Sequence, residues 1–264
     1  MYQIKKIFLT IAVSSMSLAM NAQMRDNLSP TFGTFPSANT ADSSTTKNKF
    51  PVTGLILPAA CITYGFIALH DNGLRKINED WKKNIWDDHP HKKLHLDNIF
   101  VVLPGAGAFA LEAFGVKGKY PLKDKAIIYA MTSLLANGTA SIMKKSTKSL
   151  RPDSTKYNSF PSGHSAQVFA SAEFLRMEYK NVSAWYGIAG YAIALTTAYL
   201  RTYNNKHWLS DVIAGAGVGI ASTKLTYWLY PKIRHWFFKD KPATTMILPT
   251  YNQGQFGIGM THQF

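Results

Sequence analysis

The chain has 264 residues, of which 46% are hydrophobic and 13% aromatic, so it is long enough to bury a large core and a single domain is the default expectation. It carries 29 basic and 15 acidic residues, a net charge of +14, which indicates an anionic partner such as nucleic acid, anionic lipid or a phosphorylated substrate. The single cysteine, Cys61, excludes an internal disulfide.

The N-terminal residues are typical of an export signal. A short basic segment precedes an apolar run, and Ala22 is the small residue expected before a cleavage site. Residues 1–22 are therefore predicted to be a signal peptide, with an uncleaved anchor as the alternative because Met20 is large for its position. Export argues against nucleic acid as the partner. Residues 23–50, rich in Ser, Thr, Asn and Pro, predict a flexible linker.

The middle of the chain alternates apolar segments with charged connectors. Apolar runs this long exceed ordinary strands and predict helices. The segments are 51–69, 99–115, 126–143, 165–180, 181–200 and 211–230, with Pro231 predicted to end the last one. We therefore predict an all-α fold over residues 51–242, a bundle of about six core helices. Gly215 and Gly219, four residues apart, predict close packing of the last helix.

The C-terminal tail, residues 243–264, has a different pattern. Two segments of alternating polarity flank the sequence Asn-Gln-Gly-Gln, which predicts a β-hairpin.

Several helices are long enough to cross a bilayer, although frequent polar residues within them leave a soluble bundle open. If 126–143 spans, the lysines just before it and after the last helix lie on one side, which the positive-inside rule makes cytoplasmic. Residues 144–163 and 200–207 then face outward. Two further spans at 51–69 and 99–115 after a cleaved signal would reverse that orientation. The number of spans therefore stays open.

The first of three polar stretches is 144–152. On a helix, Lys144, Lys148 and Arg151 fall at i, i+4 and i+7, hence on one face, and Pro152 is expected to end that helix. Stacked cations repel one another unless an anion sits among them. The alternative is a solvated basic helix end, which the helix dipole also favours.

The second stretch is Pro-Ser-Gly-His, residues 161–164. Ser162 suits a helix N-cap, Gly163 lets a ligand approach the backbone, and His164 would begin the helix. Free amide groups at a helix start attract anions. A simple turn and cap is the alternative.

The third stretch is 200–211. His207 and Asp211 are four residues apart, which predicts that one helical face carries both and that the carboxylate orients the imidazole. Arg201 precedes His207 across a polar turn. The alternative interpretation of this stretch is a polar cluster at the start of a helix. Taken together, the three stretches place cations and imidazoles at the ends of apolar helices, where an anionic ligand would compensate them.

The three stretches occur in the order Lys, six residues, Arg-Pro; Pro-Ser-Gly-His; and Arg, five residues, His, three residues, Asp. This pattern resembles the type 2 phosphatidic acid phosphatase superfamily, which includes bacterial acid phosphatases and vanadium haloperoxidases. Leu200 departs from the resemblance, since the family often has serine there. The gap between Pro152 and Pro161 is also short.

The resemblance implies a role for each motif residue. His207 would attack phosphorus, Asp211 would orient it, and His164 would protonate the leaving oxygen. The phosphate would be bound by Lys144, Arg151 and Arg201, with Ser162 and the Gly163 amide as further donors. Lys145, Lys148 and Lys206 lie outside the motif and are interpreted as a basic rim or as solvated charge. No metal or other cofactor is implied, and His89, His91 and His95 are interpreted as a solvated loop rather than a metal site.

The favoured hypothesis is a metal-independent phosphatase of the cell envelope, membrane-associated with its active site facing the periplasm. It would hydrolyse a lipid phosphate monoester or diphosphate through a phosphohistidine; phosphatidate, phosphatidylglycerophosphate, polyprenyl diphosphate and lipid A phosphate are the candidates. The alternatives are a soluble periplasmic non-specific acid phosphatase, a vanadium-dependent haloperoxidase and a catalytically silent protein that binds anionic lipid. The oligomeric state stays open.

Overall fold

The structure, a computed structural model, describes residue 50, residues 52–237 and two strands at 245–252 and 255–262. The predicted signal peptide and nearly all of the predicted linker lie outside the described residues. The predicted division between a helical domain, 51–242, and a tail stays a prediction.

The described part of the chain before the strands is helical, which confirms the predicted all-α class. The helices are α1 (Val52–Ile67), α2 (Gly73–Lys82, continued by a π-helical turn, Lys83–Asp87), α3 (Asp97–Phe100), α4 (Leu103–Ala113), α5 (Leu122–Thr147), α6 (Gly163–Tyr179), α7 (Ala184–Tyr203) and α8 (Leu209–Phe237). The predicted segment 99–115 is divided into α3 and α4. Pro104 lies in the first turn of α4, where its missing N–H leaves no helical hydrogen bond unmade.

One prediction about a helix end is wrong. We expected Pro231 to end the last helix, but α8 continues through it to Phe237. The fixed φ angle of proline is itself helical, so a long helix can continue past a proline with the loss of one backbone hydrogen bond and some local strain.

Helix α6 lies at the centre of the bundle and packs against α4, α5 and α7. Its residues Val168, Phe169 and Ala172 form a buried cluster with Ala194 and Ala198 of α7 and with Val212 and Ile220 of α8. Twelve of its 17 residues are buried, so the helix that begins with the Pro-Ser-Gly-His motif is also the one most enclosed by the rest of the fold.

Two glycines bring α8 against the start of α6. A Cβ atom added to Gly215 would lie 2.6 Å from the carbonyl oxygen of Ser162, and one added to Gly219 would clash with the carbonyl of Ala166. The close packing predicted from their spacing is therefore confirmed. It fixes the backbone of the Ser-Gly-His turn against α8.

Among the described helices, only α5 is both long and apolar enough to cross a membrane. A core helix of a soluble protein would pass the same test, but such a helix is mostly buried, whereas only 22% of the apolar window of α5 is buried inside the protein.

The predicted C-terminal hairpin is present. Strand β1 (Thr245–Asn252) pairs antiparallel with β2 (Gln255–His262), in a register that runs from Thr245 opposite His262 to Asn252 opposite Gln255.

Candidate active site

Three segments meet at one end of the bundle: the end of α5 with its following loop, the start of α6, and the turn between α7 and α8. The ammonium group of Lys144 donates to the carbonyl oxygen of Asn158 over 2.8 Å. The backbone N–H of Ser162 donates to the carbonyl oxygen of Asp211 over 2.9 Å. These two bonds hold the loop beside α5 and hold the start of α6 against the start of α8.

Helix α5 ends earlier than the sequence predicts, so the expected stack of three cations on one helical face is wrong. The helix stops at Thr147, and Lys148 caps it in a left-handed conformation with φ of 45°. Lys148 is exposed there, whereas Lys144 and Arg151 are partly buried. Arg151 reaches the site from the loop rather than from the helix.

The Pro-Ser-Gly-His segment forms the helix start that the sequence predicts. Ser162 is the N-cap of α6, and its hydroxyl oxygen accepts from the Ser165 N–H over 3.4 Å. The helix begins at Gly163, one residue before the predicted His164. A Cβ atom on Gly163 would meet only Cε of Lys144, at 3.9 Å, so this backbone is open on the side of the lysine.

The ring of His164 points toward α3. Its Nε2 lies 3.0 Å from Oδ1 of Asn98. Burial lowers the pKa of His164 below its ordinary value of 6.5, and the positive charge of Arg201 lowers it further, while Asp97 acts in the opposite sense.

His207 and Asp211 are neighbours, but they do not share a helix as predicted. His207 lies in the turn before α8, and Asp211 lies in the first turn of that helix. Nδ1 of His207 is 3.6 Å from Oδ2 of Asp211, slightly beyond hydrogen-bonding distance. Burial lowers the pKa of His207 to about 4, although Asp211 opposes that shift. The imidazole is therefore neutral at physiological pH.

The side chain of Asp211 is held in place by two donors. Its Oδ2 accepts from the Trp208 N–H over 2.9 Å and from the hydroxyl of Ser159. The first bond is the return half of a capping box, in which a carboxylate in the first turn reaches back to the N–H that precedes the helix. The orientation of the Asp211 carboxylate is therefore set by the start of α8.

Arg201, in the last turn of α7, is 8% exposed and pairs with the buried carboxylate of Asp97. Its Nε atom and the Nε atom of Arg151 are both buried without a hydrogen-bond partner among the described residues. Two guanidinium groups at one site thus retain unused donors, and buried donors without partners are costly.

The predicted site residues are close enough to affect one another electrostatically. Burial lowers the pKa of Arg151, and the charge of Arg201 lowers it further. Arg201 and Lys144 act in the same direction on both His164 and His207. The structure therefore brings together Lys144, Arg151, Ser162, Gly163, His164, Arg201, His207 and Asp211.

Three residues at this site were not predicted from the sequence. Asp97 pairs with Arg201, Asn98 contacts His164, and Ser159 donates to Asp211. A polar Asp-Asn pair before an apolar segment is a weak signal for the first two, and the sequence contains no signal for Ser159.

Lys206 and Leu200 take no direct part in the cluster. Lys206 forms an ion pair with Asp153 over 2.9 Å, which ties the turn before His207 to the loop after Arg151. Lys206 was interpreted as part of a basic rim or as solvated charge, and neither interpretation included this ion pair. Leu200, where the resembled family often has serine, is buried.

The histidine-rich segment packs on α7. The ring of His91 stacks on Tyr203 with 3.7 Å between ring centroids, and its Nε2 lies 2.8 Å from the Tyr203 carbonyl oxygen. The described residues contain no group of three His, Cys, Asp or Glu side chains suited to a metal ion.

Comparison with known proteins identifies the segment that carries the site. Residues 125–235 match the model of the PAP2 superfamily. A lipid A 1-phosphatase of Porphyromonas gingivalis is 40% identical over 135 residues, which are 51% of this chain and 30% of that relative. This chain thus spans about a third of that relative's length.

Two crystal structures are matched at low overall similarity. LpxE from Aquifex aeolicus is 21% identical with a TM-score of 0.44 and covers 57% of this chain and 94% of its own. A PAP2-type phosphatidylglycerolphosphate phosphatase from Bacillus subtilis is 20% identical with a TM-score of 0.42, covering 70% of this chain and 99% of its own. The family match and the 40% identity confirm, for the segment 125–235, the resemblance to the PAP2 superfamily that the motifs predicted.

Proposed function

We propose that this protein is a metal-independent phosphatase of the cell envelope that hydrolyses a lipid phosphate. The observation that carries the proposal is the cluster of Lys144, Arg151 and Arg201 around His164 and His207. The two guanidinium groups have buried donors without partners, which a phosphate could accept from. A phosphate would also offset the repulsion among the three cations.

In the proposed complex, the cations bind the non-bridging oxygens of the phosphate. The backbone at Gly163 is open toward Lys144 and supplies N–H groups at the start of α6. These donors are fixed before substrate arrives, because Asp97 holds Arg201 and the Asn158 carbonyl holds Lys144. Donors already in place stabilise the charge that develops on the equatorial oxygens in the transition state.

In the first chemical step, His207 attacks phosphorus. Its Nδ1 faces Asp211, which leaves the lone pair of Nε2 for the attack. A P–N bond forms, the P–O bond to the lipid breaks, and the leaving oxygen takes a proton from His164. Burial keeps His207 neutral and hence nucleophilic, while Asp211 stabilises the positive charge that the ring acquires.

In the second step, water replaces His207 on phosphorus. The now neutral His164 takes a proton from the water, a P–O bond forms, and the P–N bond breaks to release inorganic phosphate and the free His207 ring. Asn98, 3.0 Å from His164 Nε2, keeps the ring in one orientation through both steps.

Two observations favour a lipid substrate held at a membrane. The 40%-identical relative acts, by its name, on lipid A, so we propose a lipid A phosphate monoester ahead of phosphatidate, phosphatidylglycerophosphate and polyprenyl diphosphate. Helix α5 exposes most of an apolar window long enough to span a bilayer, which favours a membrane-bound form over a soluble acid phosphatase. The active site would face the periplasm.

Phosphoenzyme trapping tests the mechanism. Protein mixed with ³²P-labelled lipid A or phosphatidate and quenched in alkali should retain label, since phosphohistidine is stable to base and labile to acid. His207→Ala should retain none and release no phosphate, while His95→Ala, at an exposed histidine, should behave as wild type. Chelator should leave the rate unchanged. Full phosphate release by His207→Ala would refute the proposal.

A further inference from the structure

We infer that a pair of carboxamides, Asn137 and Gln167, forms a second recognition point for the substrate at the seam between α5 and α6. The pair would bind a hydrogen-bond donor, a hydroxyl or an amide N–H, in the part of the lipid that joins its phosphate to its acyl chains. The inference rests on the proposed function, since it supposes a lipid phosphate at the adjacent site.

The two side chains contact each other directly. Nδ2 of Asn137 donates to Oε1 of Gln167 over 2.6 Å and to the carbonyl oxygen of Ser133 over 2.9 Å. The amide of Gln167 is itself oriented, because its Nε2 donates to the hydroxyls of Ser133, at 3.0 Å, and Ser171, at 3.2 Å. Because both Nδ2 hydrogens of Asn137 are used in these bonds, its Oδ1 is an acceptor without a partner among the described residues.

The surroundings make that free acceptor unusual. Asn137 is exposed on α5, a helix that also exposes large apolar side chains, with Leu134 76% and Ile142 67% exposed. In a helix that crosses a bilayer, an outward carboxamide has no water to bond with, and polar groups at such positions are costly and mark binding sites. A polar group of the substrate would satisfy it.

The pair also lies in line with the phosphate site. Asn137 precedes Lys144 by seven residues on the same face of α5, about 10 Å along the axis. Gln167 follows His164 by three residues on α6. Between Asn137 and Lys144 the helix offers small residues: Gly138, beside which an added Cβ would meet nothing within 4 Å, and the exposed Ser141. A lipid whose phosphate binds Lys144 can therefore lie along this seam.

The unpaired acceptor of Asn137 determines which chemical group the ligand must offer. Oδ1 of Asn137 accepts hydrogen bonds, so it can select lipids with a donor near the phosphate over lipids that offer only ester carbonyls. Ceramide 1-phosphate has an amide N–H and a hydroxyl in that region, and phosphatidate of the same chain length has neither.

The test compares these two lipids and a soluble ester, p-nitrophenyl phosphate, in detergent micelles. Wild type should hydrolyse ceramide 1-phosphate with a kcat/KM about five- to tenfold above that for phosphatidate, the effect of one hydrogen bond in a poorly hydrated site. Asn137→Leu should bring that ratio close to one and leave the soluble ester unchanged. Gln167→Met, which removes the partner that orients Asn137, should act in the same direction, and Leu134→Ala is the matched control.

Two results would overturn the inference. A ratio that is the same in wild type and Asn137→Leu would show that the pair recognises nothing. A parallel fall on all three substrates together with a lower melting temperature would show that it only joins α5 to α6. Equilibrium binding of the two lipids to His207→Ala protein decides the inference independently of turnover. If wild type hydrolyses neither lipid, the proposed function fails, whereas the binding preference still reports on Asn137.

Discussion

The two ends of the bundle differ in whether their buried charged groups have hydrogen-bond partners within the protein. At the end away from the candidate site, the fully buried Lys125 pairs with Glu112 and donates to the hydroxyl of Tyr179 over 3.0 Å. Glu178 nearby accepts from the Tyr227 hydroxyl and the Tyr120 N–H. Each of these charges has a partner supplied by the protein.

At the candidate site, positive charge exceeds negative charge. Lys144, Arg151 and Arg201 face Asp97 and Asp211, and Asp211 already accepts hydrogen bonds from Ser159 and Trp208. Both arginine Nε atoms are buried without a partner in the described part of the chain. The difference suggests that one end is built for stability and the other for a ligand, so a substitution should affect stability at the first and activity at the second.

The largest effect should come from the arginines at the site. Arg151→Ala and Arg201→Ala should each lower kcat/KM for phosphate release by about 10²- to 10³-fold, the loss typical of removing one donor to a developing oxyanion. The measurement is initial-rate phosphate release, with Lys145→Ala, at an exposed lysine next to Lys144, as the control. A drop below tenfold for both arginines would contradict the assignment of this end to phosphate.

A stability change should follow substitution at the other end. Lys125→Met should lower the free energy of unfolding by about 1–3 kcal/mol, because the partly exposed Glu112 and the buried Tyr179 hydroxyl both lose the ammonium group that donates to them. Chemical denaturation measures this. The kcat of the protein that stays folded should match wild type, and adding Glu112→Gln should recover part of the stability. Lost activity with unchanged stability would remove the distinction between the two ends.

The pH dependence should show a smaller effect that arises only at the site. His207 must be neutral to attack, and burial lowers its pKa to about 4, so kcat/KM should rise as pH increases through about 4. His164 must be protonated to act as the acid, so kcat/KM should fall again as pH rises through the pKa of His164, which lies below 6.5. The profile should therefore peak between these limits.

A substitution at Asn98 should shift only the alkaline limb of the pH profile of kcat/KM. His164 faces the positive charges of Arg201, Lys144 and Arg151 and the negative charge of Asp97. Asn98→Asp adds a second negative charge beside its Nε2, which should raise its pKa and shift the alkaline limb to higher pH while the acid limb stays in place. A profile that does not move would exclude His164 as the group behind that limb.

The sequence predicted the helices and the clustering of the candidate site residues better than it predicted their geometry. Amphipathic and apolar runs predicted the helices, because burial of one helix face sets the period at which apolar residues recur. The spacing of five residues predicted a single anion site: Lys144, Arg151, His164, Arg201 and His207. The helical stack of cations was wrong because a left-handed residue at Lys148 ends α5 before Arg151. The shared helix of His207 and Asp211 was wrong because α8 begins only at Leu209.

The residues that the sequence did not reveal are the ones that act through long-range contacts. Asp97 reaches Arg201 across 104 positions and Asn98 reaches His164 across 66, and no local pattern encodes such pairs. Ser159 is similar, because its hydroxyl meets Asp211 only once the loop after α5 has folded over the start of α8. Only the three-dimensional arrangement shows which polar residues orient the others.

The contact of Gly215 with the carbonyl of Ser162 places one limit on the evolution of this site. The distance from the turn that carries His164 to the helix that carries Asp211 is set by two backbones in contact, with no side chain between them that could be exchanged for a shorter or longer one. Under the proposed function, substitutions on the surface of α5 and in the outer loops could alter substrate preference, whereas the spacing between His164 and Asp211 is held by this backbone contact.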